Sequence, residues 1–140
     1  MRAICVVLAV LVSVTLIGCQ GKKDPEKEAA AAEEALAWLQ MVDRGAYEES
    51  WRSSAAFMKD SVTLEQWVKT MEQSRKPMGA LVSREVNSSE YRTMLPKVLM
   101  GHYVIIEYHT TFANATPLFE SITLILEEDG RWRVGGYYLK

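Results

Sequence analysis

Residues 118–139 have the sequence LFESITLILEEDGRWRVGGYYL, and this stretch determines the type of fold. Apolar residues alternate with polar ones on either side of Asp129-Gly130, a dipeptide that favours a tight turn between two strands. The stretch therefore predicts an antiparallel hairpin with strands over residues 119–127 and 132–139. Gly135-Gly136 interrupts the second strand, which predicts a bulge or a close approach of another backbone.

Two more strands precede this hairpin. Residues 81–91 and 102–113 show the same period of two and the same enrichment in β-branched and aromatic side chains. Residues 114–117 contain Asn and Pro and predict the turn that leads into the third strand. The last three strands are therefore expected to form an antiparallel meander.

Before Gly79 the apolar period is close to four, which is typical of amphipathic helices. The spacing predicts a helix over residues 28–44, a shorter helix from Tyr47 to Met58, and a third helix that begins at a capping box, Thr63 to Gln66. The expected apolar stripe of the first helix is Ala32, Ala35, Leu36, Leu39 and Val42, with Trp38 at its edge. The fold class predicted is α+β, with three N-terminal helices packed on a curved four-stranded antiparallel sheet.

The N-terminus has the features of an export signal. Arg2 precedes an apolar run over residues 3–17, which is short for a spanning helix of about 20 residues. Residues 16–19 (LIGC) resemble the bacterial lipobox, after whose third residue a signal peptidase cuts and whose cysteine is lipidated. The expectation is a signal peptide over residues 1–18 and lipid on Cys19, with an uncleaved membrane anchor as the alternative.

The cysteine count supports this interpretation. Cys5 would leave with the signal peptide, so Cys19 would be the only thiol of the mature chain and no internal disulfide would form. Residues 19–27 are expected to be the lipidated cysteine and a flexible tether, and residues 28–140 a single domain. In lipoproteins an Asp after the cysteine favours the inner membrane; Gln20 therefore favours the outer membrane, with the domain facing the periplasm.

Composition and motifs narrow the classes of function. Loss of Arg2 leaves 15 basic residues against 18 acidic ones, which gives no electrostatic reason to bind nucleic acid. A phosphate-binding loop, a nucleophile elbow and a zinc-protease motif are all absent from the sequence, so no cofactor and no catalytic residue is predicted. His109 and Glu107 share one face of a strand, but a metal site would need further ligands, and none is predicted.

Two charged residues fall on apolar faces of the predicted strands. Glu120 shares a face with Leu118, Ile122 and neighbouring leucines, and Arg84 lies between Val82 and Val86. An unpaired buried charge costs several kcal/mol, so Arg84 and Glu120 are expected to pair across the interior. They form either a structural ion pair or the polar floor of a ligand pocket, with catalysis by Glu120 a third interpretation. Six aromatic residues are expected in the core or lining such a pocket: Trp38, Trp51, Trp67, Trp132, Tyr137 and Tyr138. Of these, Trp67 and Tyr137 are the two expected beside the ion pair.

The chain also resembles a bacterial family named domain of unknown function 4019, over residues 29–140. The residues that carry the resemblance are Ala35-Leu36-Ala37-Trp38-Leu39, Asp43-x-Gly45-x-Tyr47, Ser50-Trp51, Trp67, Pro77-Met78-Gly79, Arg84, Thr111-Phe112, Glu120 and Asp129-Gly130-x-Trp132-Arg133-Val134-x-Gly136-Tyr137. Similar C-terminal segments occur in cone-shaped α+β domains similar to nuclear transport factor 2 and the cystatins. The resemblance implies fold and localisation, and no activity.

Three functions follow as hypotheses. The first is a non-enzymatic binding or envelope-associated lipoprotein, attached to the membrane through Cys19, which meets another periplasmic protein or cell-wall material. The second is a small-ligand or enzymatic pocket of the nuclear-transport-factor-2 type with Glu120 and Arg84 at its floor. The third is a structural subunit of an envelope complex, which predicts an exposed apolar patch around Leu95 and Met100.

Overall fold

A computed structural model describes residues 23–97 and 100–140, so the expected signal peptide, Cys19 and the first part of the tether lie outside the described residues. The elements are α1 (Pro25–Asp43), α2 (Tyr47–Arg52), α3 (Ala56–Ser61), α4 (Leu64–Ser74), a 3-10 turn (Lys76–Met78), β1 (Leu81–Arg92), β2 (Tyr103–Phe112), β3 (Leu118–Leu126) and β4 (Trp132–Leu139). This order confirms an α+β fold in which helices precede strands.

The four strands form one antiparallel sheet in the order β1-β2-β3-β4. The predicted meander is therefore confirmed, and β1 joins it as the next neighbour. On β2 and β3 the even-numbered residues, such as Ile106, Ile122 and Leu124, are buried against the helices. The period of two in the sequence thus separates the covered face of the sheet from the open one.

The helical layer differs from the prediction, because the described part of the chain has four α-helices rather than three. The expected helix from Tyr47 to Met58 is broken at residues 53–55. Ser53 and Ser54 both donate their hydroxyl hydrogens to the carbonyl of Ser50, and Ala55 donates its backbone N–H to Val134 in β4 at 2.8 Å. These contacts replace the helical hydrogen bonds, so the chain turns and a new helix begins.

Helix α1 begins at Pro25, three residues before the expected start, so residues 25–27 of the expected tether are helical. The Asp24 side chain accepts a hydrogen bond from the Lys27 backbone N–H at 3.2 Å, and proline suits the first helical position. The buried stripe is also rotated from the one predicted, because Leu36 is 46% exposed and Trp38 is buried. Within residues 23–97 and 100–140, no helix has the length and apolar character to cross a bilayer.

Tryptophan side chains join three of the helices to the sheet. The ring centroids of Trp38 and Tyr137 are 5.3 Å apart, and those of Trp38 and Trp67 are 5.8 Å apart. The indole N–H of Trp38 donates to the carbonyl of Ser50 at 2.8 Å, and that of Trp67 donates to the carbonyl of Tyr47 at 3.2 Å. Each buried indole therefore packs and also has its donor satisfied.

The edge strand β1 also differs from the prediction, in the exposure of two valines. Val82 and Val86 were expected to face the core with Arg84, but they are 65% and 62% exposed. The register with β2 shifts between Leu81 and Ser83 and again between Val86 and Ser88. The first shift re-aims Val82 away from the core. No shift lies between Arg84 and Val86, so Val86 is on the same face as Arg84 and is exposed because the helices leave that part of the edge strand uncovered.

The bulge predicted at Gly135-Gly136 is confirmed by the register of β3 and β4. Thr123 pairs with Gly136 and Leu124 pairs with Val134, so Gly135 is the extra residue. A Cβ atom at Gly135 would clash with the Ile125 side chain. The bulge brings Tyr137 onto the covered face of the sheet, where it is buried.

We predict that Gly135→Ala lowers the free energy of unfolding by about 1–3 kcal/mol, because the added methyl overpacks against Ile125. The same substitution made in an Ile125→Ala background should cost less, since the clashing atoms are gone. Urea unfolding of the four proteins of this double-mutant cycle measures the difference. An equal cost in both backgrounds would contradict the steric explanation.

Candidate functional site

The two charged residues singled out from the sequence are in direct contact. Arg84 and Glu120 lie on β1 and β3 and both face the helices across β2. The Arg84 Nε donates to Glu120 Oε2 at 2.6 Å, and its Nη2 donates to Oε1 at 3.2 Å. This is a bidentate pair, and Glu120 is 0% exposed.

Two hydroxyl groups complete the surroundings of the Glu120 carboxylate. Thr110 on β2 donates to Oε2 at 2.6 Å, and Tyr137 on β4 donates to Oε1 at 2.5 Å. Each carboxylate oxygen therefore accepts two hydrogen bonds, and the donors come from three different strands. A buried charge is tolerated only when it is paired and hydrogen-bonded in this way.

Arg84 also contacts a second carboxylate, that of Asp43, and this pairing was not predicted from the sequence. Asp43 is the last residue of α1, and its two oxygens accept from Arg84 Nη1 at 2.8 Å and Nη2 at 3.0 Å. An acidic residue at the C-terminal end of a helix opposes the helix dipole and needs a cation nearby. That position was the available signal in the sequence, but it does not identify the cation.

Arg75, at the end of α4, is the fourth charged group and was not predicted. Its Nη2 donates to Asp43 at 3.1 Å, and its Nη1 donates to the carbonyl of Gly79 at 2.8 Å. The guanidinium lies 3.8 Å from the centroid of the Phe112 ring, and Arg75 is buried. We call Arg75, Asp43, Arg84 and Glu120 the four-charge network; it balances two cations with two anions.

The surroundings of Arg84 and Tyr137 shift the pKa values of both side chains. Burial acts to lower the pKa of Arg84, but hydrogen bonds to Asp43 and Glu120 outweigh burial, so the pKa lies above its usual value. Burial raises the pKa of Tyr137 well above its ordinary value, and the negative charge of Glu120 raises it further. Arg84 therefore stays charged and Tyr137 stays neutral at physiological pH.

Of the two aromatic residues expected near the ion pair, one contacts it directly and the other does not. Tyr137 contacts Glu120 directly, whereas Trp67 contacts Tyr137, with ring centroids 6.4 Å apart. Both also line a surface groove of about 400 Å³ beside Phe57 and Tyr138. The structure thus brings Arg84, Glu120 and Tyr137 together, and Trp67 packs behind them.

A cleft of about 690 Å³ lies at the outer end of the four-charge network, between the end of α1, α4 and the start of β1. Arg84 and Glu120 are not among the residues that line it. Its charged lining residues are Asp43, Arg44, Glu48, Glu72, Arg75 and Lys76. We call this the mixed-charge cleft, because it presents three acidic and three basic side chains.

The histidines lie away from this cleft. His109 packs against Phe119 on the open face of the sheet, with ring centroids 5.4 Å apart. His102 shares a hydrogen bond of 2.5 Å with the Tyr91 hydroxyl. Across residues 23–97 and 100–140, no group of three or more His, Cys, Asp or Glu side chains is arranged to hold a metal ion.

Comparison with known families identifies the class of protein. The family described as protein of unknown function (DUF4019) matches residues 34–137, and the chain belongs to that family. This confirms the resemblance found in the sequence. No curated protein matches the chain.

Two buried tyrosines give a matched test of the polar interior. Tyr137→Phe removes a donor from Glu120 and should lower the free energy of unfolding by about 1–3 kcal/mol. The hydroxyl of Tyr108 is buried and has no hydrogen-bond partner among the described residues. Tyr108→Phe should therefore be neutral or stabilising, and urea unfolding at pH 7 measures both. Equal losses for the two variants would contradict the assigned hydrogen bonds.

The same tyrosine predicts a dependence on alkaline pH. Because the pKa of Tyr137 is raised on folding, the unfolded chain loses this proton near pH 10 while the folded protein keeps it. The stabilisation is complete below pH 10, and above pH 10 it falls by about 1.4 kcal/mol per pH unit. The Tyr137→Phe protein lacks this proton, so the wild type should lose stability relative to the variant by this one-proton slope when urea unfolding of both is measured above pH 10. A difference that does not change with pH would contradict the raised pKa of Tyr137.

Proposed function

We propose that the chain is an exported lipoprotein, attached to a membrane by lipid on Cys19, whose domain is a non-enzymatic binding module. The sequence supports export and anchoring: Arg2, the apolar run over residues 3–17 and the lipobox-like LIGC over residues 16–19 occur in the required order. Gln20 after the cysteine favours the outer membrane, with the domain in the periplasm.

The proposal of a non-enzymatic domain rests on the surroundings of Glu120. A general acid or base must reach the proton that it transfers. Glu120 is 0% exposed, and both of its oxygens already accept two hydrogen bonds from Arg84, Thr110 and Tyr137. Glu120, the candidate catalytic carboxylate, therefore has structural partners at both oxygens. The proposed binding surface does not include it.

The mixed-charge cleft is the binding surface in this proposal. Asp43 and Arg75 line it and are also members of the four-charge network, so their side chains are fixed before a ligand arrives. A fixed binding surface loses less conformational entropy on association. Because the cleft carries both signs of charge, it suits a partner with carboxylates and amines together, as in a peptide or the peptide portion of cell-wall material.

Photo-crosslinking in intact cells tests this proposal. A photoreactive amino acid replaces Lys76, which is exposed in the cleft, or Arg131, an exposed control in the turn between β3 and β4. We expect crosslinked envelope products at position 76 and none of the same products at position 131. Identical products at both positions would contradict binding through the cleft.

The proposed lipid anchor on Cys19 can be tested in the same cells. With radiolabelled palmitate, the wild-type chain should carry the label and sediment with membranes, whereas Cys19→Ala should carry none and lose membrane attachment. If the Cys19→Ala protein remained membrane-bound at the wild-type level, the lipid anchor would be wrong, whatever the crosslinking showed.

A further inference from the structure

The first turn of α1 and the connection between β1 and β2 lie at the same end of the molecule. Glu28 accepts a hydrogen bond from the backbone N–H of Tyr91 at 3.3 Å, and the Lys27 Nζ lies 5.0 Å from the centroid of the Tyr91 ring. Because Tyr91 is the penultimate residue of β1, the chain leaves the sheet beside the start of α1.

This connection carries two of the most exposed apolar side chains in the described part of the protein. Met94 is 62% exposed and Met100 is 81% exposed. Gly101 donates its backbone N–H to the carbonyl of Thr93 at 3.1 Å, so the two ends of the connection are held together. We call Met94 and Met100 the methionine pair; each loses favourable apolar burial while it faces water.

The length of the chain before α1 limits how far this end can be from a lipidated Cys19. Asp24, the residue that caps α1, is five residues after Cys19. A fully extended chain spans at most about 3.6 Å per residue, so Asp24 lies within about 18 Å of the cysteine. The start of α1, and with it the methionine pair, is therefore held close to the membrane surface.

Charge at this end is compatible with such a surface. Lys23 precedes the cap of α1, Lys97 lies in the connection between β1 and β2, and both are exposed. Positive side chains near a membrane are attracted to anionic headgroups, by about 1 kcal/mol each. Glu26 and Glu90 are exposed at the same end and offset this gain, so the methionine pair and not charge carries the contact. Methionine adapts its shape readily to irregular apolar surroundings, which suits partial insertion between acyl chains.

We propose that Met94 and Met100 form a second contact with the phospholipid bilayer to which Cys19 is attached. The inference rests on the proposed lipid anchor. It adds an orientation: the end of the domain that carries the methionine pair faces the lipid. The mixed-charge cleft involves the other end of α1, so it remains open to the periplasm.

Lipid quenching of site-specific fluorophores tests this orientation. The full-length lipidated protein is purified and inserted into vesicles of phosphatidylethanolamine and phosphatidylglycerol with brominated acyl chains. Met94→Cys or Met100→Cys provides a single free thiol for an environment-sensitive label. Val82→Cys is the matched control, because Val82 is 65% exposed and lies ten residues from the end of the same strand, a distance of about 33 Å.

We expect brominated lipid to reduce the fluorescence at positions 94 and 100 at least about twofold more than at position 82, as for a shallow insertion into the interface. Equal quenching at all three positions, with the protein still floating with the vesicles, would overturn the inference and leave the anchor intact. If the labels at position 100 of two copies contact each other, the methionine pair binds a second copy of the protein. That result would also overturn the inference. Failure of the protein to float with the vesicles would overturn the anchor, and the inference with it.

Discussion

Arg84 is held between two carboxylates, and the position of the first helix on the sheet depends on this arrangement. Its guanidinium donates to Glu120 through Nε and Nη2 and to Asp43 through Nη1 and Nη2. Arg84 and its two partners are 41 and 36 residues apart in the sequence. Removal of one member of such a buried set leaves an uncompensated charge and costs about 3–5 kcal/mol. The network therefore fixes one packing of α1 against β1 and β3.

The four-charge network extends from the interior of the domain to its surface. Glu120 is enclosed by strand residues, whereas Asp43 and Arg75 reach the lining of the mixed-charge cleft. In the proposed function this arrangement favours binding, because Asp43 and Arg75 are oriented from within and need little reorganisation when a partner arrives. The end of α1 that enters the network is opposite the end that follows Cys19, so the proposed attachment and the proposed binding surface involve different ends of one helix.

The sequence predicted much of the fold, because periods of two and near four are local properties of the chain. It also predicted that Arg84 and Glu120 would meet, since each was a charge on an apolar face. It did not predict Asp43 or Arg75 as their partners, because both lie at the ends of helices, where no alternating pattern marks a charge as buried. The break after α2 depends on a carbonyl of β4. The exposure of Val82 depends on a bulge, and that of Val86 depends on incomplete cover of the edge strand by the helices. Tertiary contacts determine these features, and no local pattern encodes them.

The most direct test is a double-mutant cycle on the free energy of unfolding with Asp43→Asn and Glu120→Gln. The two carboxylates have no direct hydrogen bond to each other and are connected through Arg84. If the network acts as one unit, the two losses will be non-additive, with a coupling energy of at least about 1 kcal/mol. Losses that add to within about 0.5 kcal/mol would show two independent ion pairs and would contradict the central role of Arg84.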